Sequence, residues 1–502
     1  MKKPRLIYDN DARHHLLYRY GPPLTDYLLR QPVDEILGTS VDTLFYGFIS
    51  KQISPYKSNA GLYWDWGDGE KEQVMWWRAG ENLKQALNNG QDPLKTVVDK
   101  AHDNDIQVLT WLYWEPPLDL NSQWKYSDHA DLEVVKNRLE TVEEALEKYG
   151  FDGIGLNYYV PDTIFSAEVA SPSLAPKNAS ALTDFVTKVR TLLDSIGKNS
   201  KKDLALVAKV HPDINQNIKV GLDIDKWLEQ GLIDMVIPSE PHPNDTTQSS
   251  LLDTNPMLGA LANKAKENSA WVYGGVSGSL YDDREYSTTI EMYRAAATNH
   301  LVSGVDGIYL SSLSWPHGPS EYQILRELGC PELYSRKPKH YFLGHSPAEI
   351  SEDSPVKQLP VNLEEGVAAE INLFIGDDLE NAKLDYDVKN IKLIVRILQI
   401  CPEDKLSFSF NGNPLDIKEA ISKTIYGGSV SYTAKRGGLP SRITTYDLFE
   451  LDIDVNHVIQ GYNSVKILLD YHHKDMSAQR ILNSVEFKIN YPEPHNPIGG
   501  QM

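Results

Sequence analysis

The chain has 502 residues, of which 41% are hydrophobic and 24% are charged, and its formal net charge at pH 7 is -21. This length exceeds one ordinary hydrophobic core and predicts two domains, and the composition is that of a globular protein with no membrane association. The negative charge argues against nucleic acid as a partner, because most of the surface would repel a polyanion.

The amino-terminal stretch reaches Asp9 before an apolar signal-peptide segment can form, and no apolar run of about 18 residues occurs. We therefore expect a soluble protein with no signal peptide in this sequence. It would be periplasmic if a signal had been removed, and otherwise cytoplasmic. Cys330 and Cys401 fall in different predicted domains, so no disulfide framework is expected. The oligomeric state is left open.

Eight short apolar segments alternate with helical patterns over residues 1–340. The predicted strands are Arg5–Asp9, Thr43–Ile49, Ile106–Trp114, Gly153–Tyr159, Leu204–Val210, Asp234–Pro238, Ala270–Gly275 and Gly307–Ser311. This alternation predicts a parallel sheet, and eight units predict an α/β fold of the (β/α)8 TIM barrel type. No glycine-rich phosphate turn follows the first strand, which argues against an open doubly wound sheet.

The composition changes after the barrel, and we predict a linker at 341–357 followed by a second domain at 358–502. Six segments of that domain alternate apolar and polar residues, as half-buried strands do. They are Ala368–Phe374, Ile391–Leu398, Leu406–Phe410, Tyr446–Val455, Ser464–Leu469 and Ser484–Ile489. With a turn signal at 411–413 and only a weak helical pattern at 417–422, the pattern predicts an all-β sandwich.

Catalytic residues of a parallel barrel lie at the carboxyl ends of its strands, where the strand-to-helix loops open. Alternation along the fifth strand predicts that Lys209 and His211 share the inner face and end at the rim. The candidates for catalysis at the strand ends are Lys209, His211, His242, Tyr159, Glu115 and Glu240. The candidates for substrate binding are Asn10, Arg13, Tyr46, Trp64, Trp114, Asn157, Tyr273 and Trp315.

Each candidate also has a structural interpretation, as a turn, capping or packing residue. Lys209 in particular could pair with a neighbouring carboxylate. Asp9, Asp11, His14 and His15 are metal-ligand types, but adjacent histidines point apart, and no zinc-binding spacing occurs. We predict neither a metal nor a cofactor.

Several strand motifs resemble those of the bacterial family-10-like glycosyl hydrolase proteins. They are Asn10-Asp11, Phe-Asp-Gly-Ile-Gly-Leu-Asn-Tyr at 151–158, Gly221-Leu222-Asp223 before Trp227, and Val-Asp-Gly-Ile-Tyr at 305–309. The resemblance covers most of the chain. It implies a (β/α)8 barrel followed by a β-sandwich, and a role in polysaccharide breakdown.

The chain departs from barrel glycosidases at the positions of their carboxylates. Retaining barrel glycosidases generally carry an Asn-Glu pair after the fourth strand and a second glutamate after the seventh. Here the fourth strand ends in Asn157-Tyr158-Tyr159 and the seventh in Tyr273-Gly274-Gly275. The expected carboxylate pair is therefore absent.

Three functions remain open, all with an oligosaccharide as the partner. The favoured one is β-elimination, of lyase or dehydratase type, on uronate-containing oligosaccharides derived from polysaccharides. In this hypothesis Lys209 and His211 neutralise the uronate carboxylate, and His242 or a tyrosine acts as base. The alternative is a glycoside hydrolase that uses Glu115 and Glu240. The third is a non-catalytic glycan-binding protein with an aromatic wall that includes Trp64.

Overall fold

The computed structural model describes most of the chain in two compact units. The described residues are 1–12, 15–16, 20–49, 74–112, 132–157, 175–219, 221–239, 252, 254–256, 258–280, 288–311, 313–344, 358–384, 388–417, 421–427 and 444–492. The first unit comprises 1–251, 257–278 and 303–330, and the second comprises 252–256, 279–302 and 331–502. No helix in these described ranges is long and apolar enough to cross a membrane.

The first unit contains a closed barrel of eight parallel strands that follow one another in chain order. The strands are β1 (Leu6–Asn10), β2 (Thr43–Ile49), β3 (Gln107–Leu112), β4 (Gly153–Asn157), β5 (Ala205–Val210), β6 (Met235–Pro238), β7 (Trp271–Ser277) and β8 (Gly307–Ser311). All eight lie where the sequence predicts them, and the (β/α)8 barrel is confirmed.

Helices connect the barrel strands in the described ranges. They are α1 (Asp26–Asp34), α2 (Val74–Asn88), α3 (Pro93–His102), α4 (Leu132–Tyr149), α5 (Ala175–Ser200), α6 (Ile214–Lys219), α7 (Ile224–Glu229), α8 (Gly259–Glu267), α9 (Ile290–Val302) and α10 (Pro319–Glu327). Of these, α9 belongs to the second unit. The helix predicted from three-and-four spacing at 181–196 forms the central part of α5.

One aspartate stands immediately before each even-numbered strand and bonds the backbone of the preceding strand. The amide N–H groups of Arg5, Val108, Leu206 and Val272 donate to the carboxylates of Asp42, Asp152, Asp234 and Asp306, respectively, over 2.7–3.0 Å. The same carboxylates bind the side chains of Arg5, His102, Arg190 and Lys3. The strands are thus joined in four successive pairs at their amino-terminal ends.

Glycines on the inner face of the barrel make room for aromatic rings. A Cβ atom on Gly155 would lie 2.4 Å from ring carbons of Trp111 and 2.7 Å from Phe45. Those two rings stack with their centroids 4.1 Å apart. A Cβ atom on Gly307 would likewise lie 2.7 Å from the ring of Tyr273. The glycines are therefore needed for close packing of the barrel interior.

The second unit contains two antiparallel sheets. The strands are β9 (Lys339–Leu343), β10 (Val361–Leu363), β11 (Ala368–Ile375), β12 (Asn390–Leu398), β13 (Lys405–Phe410), β14 (Asn413–Leu415), β15 (Ile421–Gly427), β16 (Thr444–Asp452), β17 (Gly461–Tyr471) and β18 (Arg480–Asn490). One sheet has the order β10-β18-β12-β16-β15, with β9 also paired to β18, and the other has the order β11-β17-β13-β14. A short helix, α11 (Leu379–Leu384), follows β11.

Inner-facing residues of both sheets form one hydrophobic core. Val465 and Ile467 from β17 share this core with Val395 from β12 and Phe487 from β18. Burial alternates along β17, as expected for a strand with one face on a core. The predicted all-β domain after the barrel is therefore confirmed.

Several features of this unit differ from the sequence analysis, among them strands β10 and β14 and helix α11, which were not predicted. The helix indicated by the weak pattern at 417–422 was wrong at its carboxyl end, because Ile421 and Ser422 lie in β15 and pair with β16. Strand β9 was not predicted, since it begins with Lys339 and His340, which look solvent-exposed in sequence. The 345–357 part of the predicted linker lies outside the described residues, and the predicted domain boundaries remain a prediction.

The charges on β9 are buried because each has a partner. Lys339 Nζ lies 2.9 Å from the Asp377 carboxylate and also donates to the carbonyls of Tyr334 and Ser335. His340 Nε2 lies 2.8 Å from the Glu486 carboxylate on β18. Such pairing offsets the free-energy cost of desolvating these groups. A strand that begins with polar residues can therefore be buried in the domain.

We expect Gly155→Ala to lower the free energy of unfolding by about 1–3 kcal/mol, because the new methyl group overlaps the Trp111 ring. Urea denaturation would measure this change. The matched control is Gly21→Ala, where no atom lies within 4 Å of the added Cβ. Equal stability losses in the two variants would contradict the packing role of Gly155.

We expect Asp306→Ala to lower the free energy of unfolding by about 1–3 kcal/mol, because the Val272 amide loses its acceptor. Asp306→Asn keeps an acceptor oxygen and should lose less. The control is Asp203→Ala, whose side chain is 96% exposed. Urea denaturation would measure the stability of the three variants. An equal loss in Asp306→Ala and in the control would contradict the role of Asp306 in joining β7 to β8.

Candidate active site

The inner faces of the barrel strands become polar at their carboxyl ends. Asp9 lies two residues after the core residue Ile7, and Lys209 lies two residues after the core residue Val207. Alternation therefore directs both side chains into the barrel. The residues that continue the inner faces in this way are Asp9, Asn157, Lys209, Ser239, Ser277 and Ser311. Asp9 is half-buried, and the other five are buried.

Two aromatic side chains hold the carboxyl group of Asp9. Trp111 Nε1 donates to Oδ1 over 3.0 Å, and the Tyr309 hydroxyl donates to Oδ2 over 2.5 Å. Burial raises the pKa of Asp9, although the positive charge of Lys209 and the two hydrogen bonds oppose this rise. Asp9 therefore combines a raised pKa with a surface that a ligand can reach.

Lys209 is 1% exposed and is the electrostatic partner of Asp9. Its Nζ lies 5.2 Å from the centre of the Tyr309 ring, within range of a cation–π contact. Burial lowers the pKa of Lys209 to about 8, and the charge of Asp9 opposes the shift. Lys209 thus lies near a carboxyl group, as its structural interpretation proposed. Its catalytic role remains a prediction.

His211 follows β5 but is bound within its own loop. Its Nδ1 accepts a hydrogen bond from the Asp213 amide over 3.0 Å, and its backbone bonds the side chain of Asn217 at 3.1 and 2.7 Å. Burial lowers the pKa of His211 to about 4. The imidazole is therefore neutral near pH 7 and does not supply the cation that β-elimination requires.

A second polar cluster lies beside the first strand and centres on Glu35, the residue that caps the carboxyl end of α1. His15 Nε2 lies 3.1 Å from Oε1 of Glu35, and Trp315 Nε1 donates to Oε2 over 3.4 Å. His317 Nε2 lies 3.8 Å from Oε1. Burial would raise the pKa of Glu35, but the hydrogen bond and charge of His15, the charge of His317 and the Trp315 hydrogen bond together lower it. Glu35 is thus a carboxylate at neutral pH.

Tyr46 lies on β2 near this cluster. Burial raises its pKa, and the charges of Asp11 and Glu35 add to the rise. The phenol therefore stays protonated in the neutral range, where it can donate a hydrogen bond.

Two of the predicted substrate-binding residues have structural contacts instead. The Asn10 side chain accepts from the amide of Ala12, whose φ is 65°, and so closes its own turn. Tyr273 lies in the first half of β7, and its hydroxyl donates to the carbonyl of Pro4, which precedes β1. Tyr273 is thus directed to the opposite end of the barrel from Lys209.

Of the predicted residues, Lys209 and Asn157 lie close together. They occupy paired positions on the neighbouring strands β5 and β4. Tyr46 and Trp315 approach the Glu35 cluster. Seven predicted residues lie outside the described ranges: His242, Tyr159, Glu115, Glu240, Arg13, Trp64 and Trp114.

Sequence reasoning missed two residues of this site. It treated Asp9 only as a metal-ligand type, although alternation from Ile7 would have placed it inside the barrel. It did not consider Glu35, because that residue follows a helix rather than a strand. Within the described ranges, no group of three or more His, Cys, Asp or Glu side chains is arranged to hold a metal ion.

No protein-family model and no curated protein matches this chain. Among solved structures, chitinase ChiA74 from Bacillus thuringiensis is 11% identical, with a TM-score of 0.42 over 97% of this chain and 100% of that one. Catalytic domain 2 of the Ostrinia furnacalis group II chitinase is 12% identical, with a TM-score of 0.39 over 64% of this chain and 96% of that one.

A glycoside hydrolase family 18 N-acetylglucosaminidase from Paenibacillus barengoltzii is also 12% identical. Its TM-score is 0.36 over 64% of this chain and 98% of that one. At TM-scores below 0.5, these similarities carry no argument about the chemistry of this chain.

We expect the imidazole of His211 to make the fold less stable as the pH falls. Its folded pKa of about 4 lies below the ordinary value of 6.5, so the unfolded chain takes up the proton first. Stability is lost between these two pH values, by at most about 3 kcal/mol. In His211→Asn, which keeps an acceptor for the Asp213 amide, urea denaturation should show a shallower decline. A wild-type decline in this variant would contradict the assignment.

Proposed function

We propose that the barrel is the catalytic unit of a carbohydrate-active enzyme that hydrolyses glycosidic bonds in oligosaccharides, with Asp9 as the general acid. The observation that carries this proposal is the half-buried Asp9 carboxyl group, held by Trp111 and Tyr309 at the carboxyl ends of the strands. Glycoside hydrolysis requires a carboxylic acid that keeps its proton until it reaches the leaving oxygen. Burial shifts the pKa of Asp9 upward, in the direction that this role requires.

The surroundings of Asp9 also suit the carboxylate that remains after proton transfer. Trp111 and Tyr309 each donate a hydrogen bond to it, and the Lys209 ammonium lies nearby in a desolvated position. These groups are already oriented before the reaction, so they stabilise the developing charge without rearrangement. Burial thus favours the protonated form of Asp9, and the three neighbours favour the carboxylate that forms when the proton leaves.

Polar groups at the carboxyl ends of the barrel strands suit the hydroxyl groups of a sugar. The hydroxyls of Ser239 and Ser311 are buried and have no hydrogen-bond partner among the described residues. Each hydroxyl can both donate and accept, and Asn157 adds an amide on the same inner face. Leaving such groups unpaired costs about 1–3 kcal/mol each, which favours a ligand that bonds them.

Hydrolysis also needs a second carboxylate, either to attack the sugar or to activate water, at about 5–9.5 Å from the acid. Glu115 and Glu240 follow β3 and β6 in sequence and are our candidates for this role. Both belong to the parts of the chain outside the described ranges. Their assignment therefore rests on their positions after barrel strands.

β-Elimination on a uronate is the second candidate, favoured by the pKa of Lys209 of about 8, which makes a neutral lysine base accessible. Three observations weigh against it. Lys209 is 1% exposed and faces Asp9 inside the barrel, and His211 is neutral near pH 7. The carboxylates of Asp11 and Glu35 beside Tyr46 would also repel an anionic sugar.

We expect Asp9→Asn to lower kcat/KM at least about 100-fold, because the amide cannot protonate the leaving oxygen. The substrates would be cellohexaose, chitohexaose and an oligogalacturonate, with products followed by mass spectrometry and near-ultraviolet absorbance. The control is Asp203→Asn, an exposed aspartate that precedes β5 at the amino-terminal end of the barrel, opposite the candidate active site. It should retain wild-type activity.

The products separate the candidate functions. Hydrolysis adds one water to the sum of the products, whereas elimination gives an unsaturated product that absorbs in the near ultraviolet. Unsaturated product from the oligogalacturonate, with the neutral sugars intact, would support the second candidate instead. Binding of a sugar without any product after long incubation would support a non-catalytic glycan-binding protein.

A further inference from the structure

Glu35 joins three segments that are far apart in sequence. It ends α1, while His15 comes from the segment after β1, and Trp315 and His317 come from the segment after β8. All three side chains approach its carboxylate within 3.8 Å, through His15 Nε2, Trp315 Nε1 and His317 Nε2. The Glu35 side chain is 4% exposed, so these contacts form in a desolvated position.

A hydrogen-bond chain fixes the orientation of His317. Its Nδ1 lies 3.1 Å from the Ser314 carbonyl, which can only accept, so Nδ1 carries a proton. In the neutral ring, Nε2 is then the acceptor for the Tyr8 hydroxyl, 3.2 Å away. His317 thereby binds the segment after β8 to β1, while Trp315 binds the same segment to the Glu35 carboxylate.

Trp315 is the half-buried member of this group. The ring of His15 packs edge-on against its indole, with centroids 5.8 Å apart, while Nε1 bonds Glu35. These two contacts restrain the plane of the indole and leave part of its surface open. A flat apolar surface of this kind suits the apolar face of a pyranose ring, which has few groups to hydrogen-bond.

We propose that Trp315 forms a stacking subsite for a neutral pyranose ring, and that Glu35 is the positioning residue that holds the indole in place. This inference rests on the proposed function, since it supplies a sugar-binding surface next to the barrel mouth. Glu35 acts through Trp315 and does not itself touch the sugar. Its substitution therefore weakens binding and leaves the chemical step unchanged.

A carboxylate is better suited to this position than an amide. One Glu35 carboxylate accepts from His15 and from Trp315 through different oxygens, so both donors are satisfied at once. A glutamine offers one acceptor oxygen and adds an N–H group, which can face His15 Nε2 only if the histidine carries its proton on Nδ1, a buried atom with no hydrogen-bond partner among the described residues. Glu35→Gln therefore keeps the side-chain volume but either loses one contact or leaves a buried N–H group unpaired.

The test is a double-mutant cycle on Glu35→Gln and Trp315→Phe. Binding of cellohexaose and chitohexaose would be measured by isothermal titration calorimetry in the Asp9→Asn background, and KM and kcat in the active enzyme. We expect each single variant to raise Kd and KM about tenfold, with kcat within about twofold of wild type. The double variant should bind no more weakly than Trp315→Phe alone.

The matched control is Asp34→Asn, which removes the adjacent carboxylate of the same helix. Asp34 pairs with Lys100 at 3.3 Å and has no contact with the Glu35 cluster, so its variant should bind like wild type. Unfolding midpoints of all variants would show whether each is folded. If Glu35→Gln does not fold, Trp315→Ala tests the stacking subsite, since it removes the indole surface.

Several outcomes overturn the inference. Wild-type affinity in Trp315→Phe, additive losses in the double variant, or a fall in kcat at unchanged KM would each do so. Failure of the wild type to bind either neutral sugar would also do so. The proposed function has its own test, because it fails if Asp9→Asn stays active. The calorimetric measurements on the Trp315 and Glu35 variants do not depend on turnover, so the two failures can be told apart.

Discussion

Four aspartate carboxylates at the amino-terminal end of the barrel each accept a hydrogen bond from the backbone of the preceding strand. Asp42, Asp152, Asp234 and Asp306 thereby join the eight strands in successive pairs, and each also binds a basic side chain. Every later feature of the first unit depends on this register. Because the stabilising charges lie at this end, the carboxyl ends are available for polar residues that the fold itself does not require.

The barrel interior connects this register to the chemistry at the mouth. Gly155 leaves the space in which Trp111 stacks on Phe45, and that position brings the indole N–H to Asp9. Tyr309, whose ring belongs to the same core, reaches the other carboxylate oxygen. Packing side chains thus also set the proton affinity of the carboxyl group that we propose as the acid.

The contacts of the basic residues near the mouth weaken the hypothesis of an acidic sugar. Lys209 looks like a binding site for a uronate carboxylate when its strand is considered alone. In the folded barrel its charge faces Asp9, and the neighbouring His211 is bound within its own loop as a neutral ring. Considered in the sequence alone, Lys209 suggests a uronate substrate. It no longer does so once its neighbour Asp9 is known.

The sequence by itself determined the order of elements. Period-two and three-and-four patterns located all eight barrel strands and the main strands of the second unit, because burial of one face constrains each local pattern. The same patterns failed at β9, where Lys339 is buried only because Asp377 receives its charge. Only the tertiary structure decided that Asp9 meets Lys209, and that Glu35 meets Trp315 across 280 positions of chain. Such pairings depend on which strand ends become neighbours in space, and no local pattern carries that information.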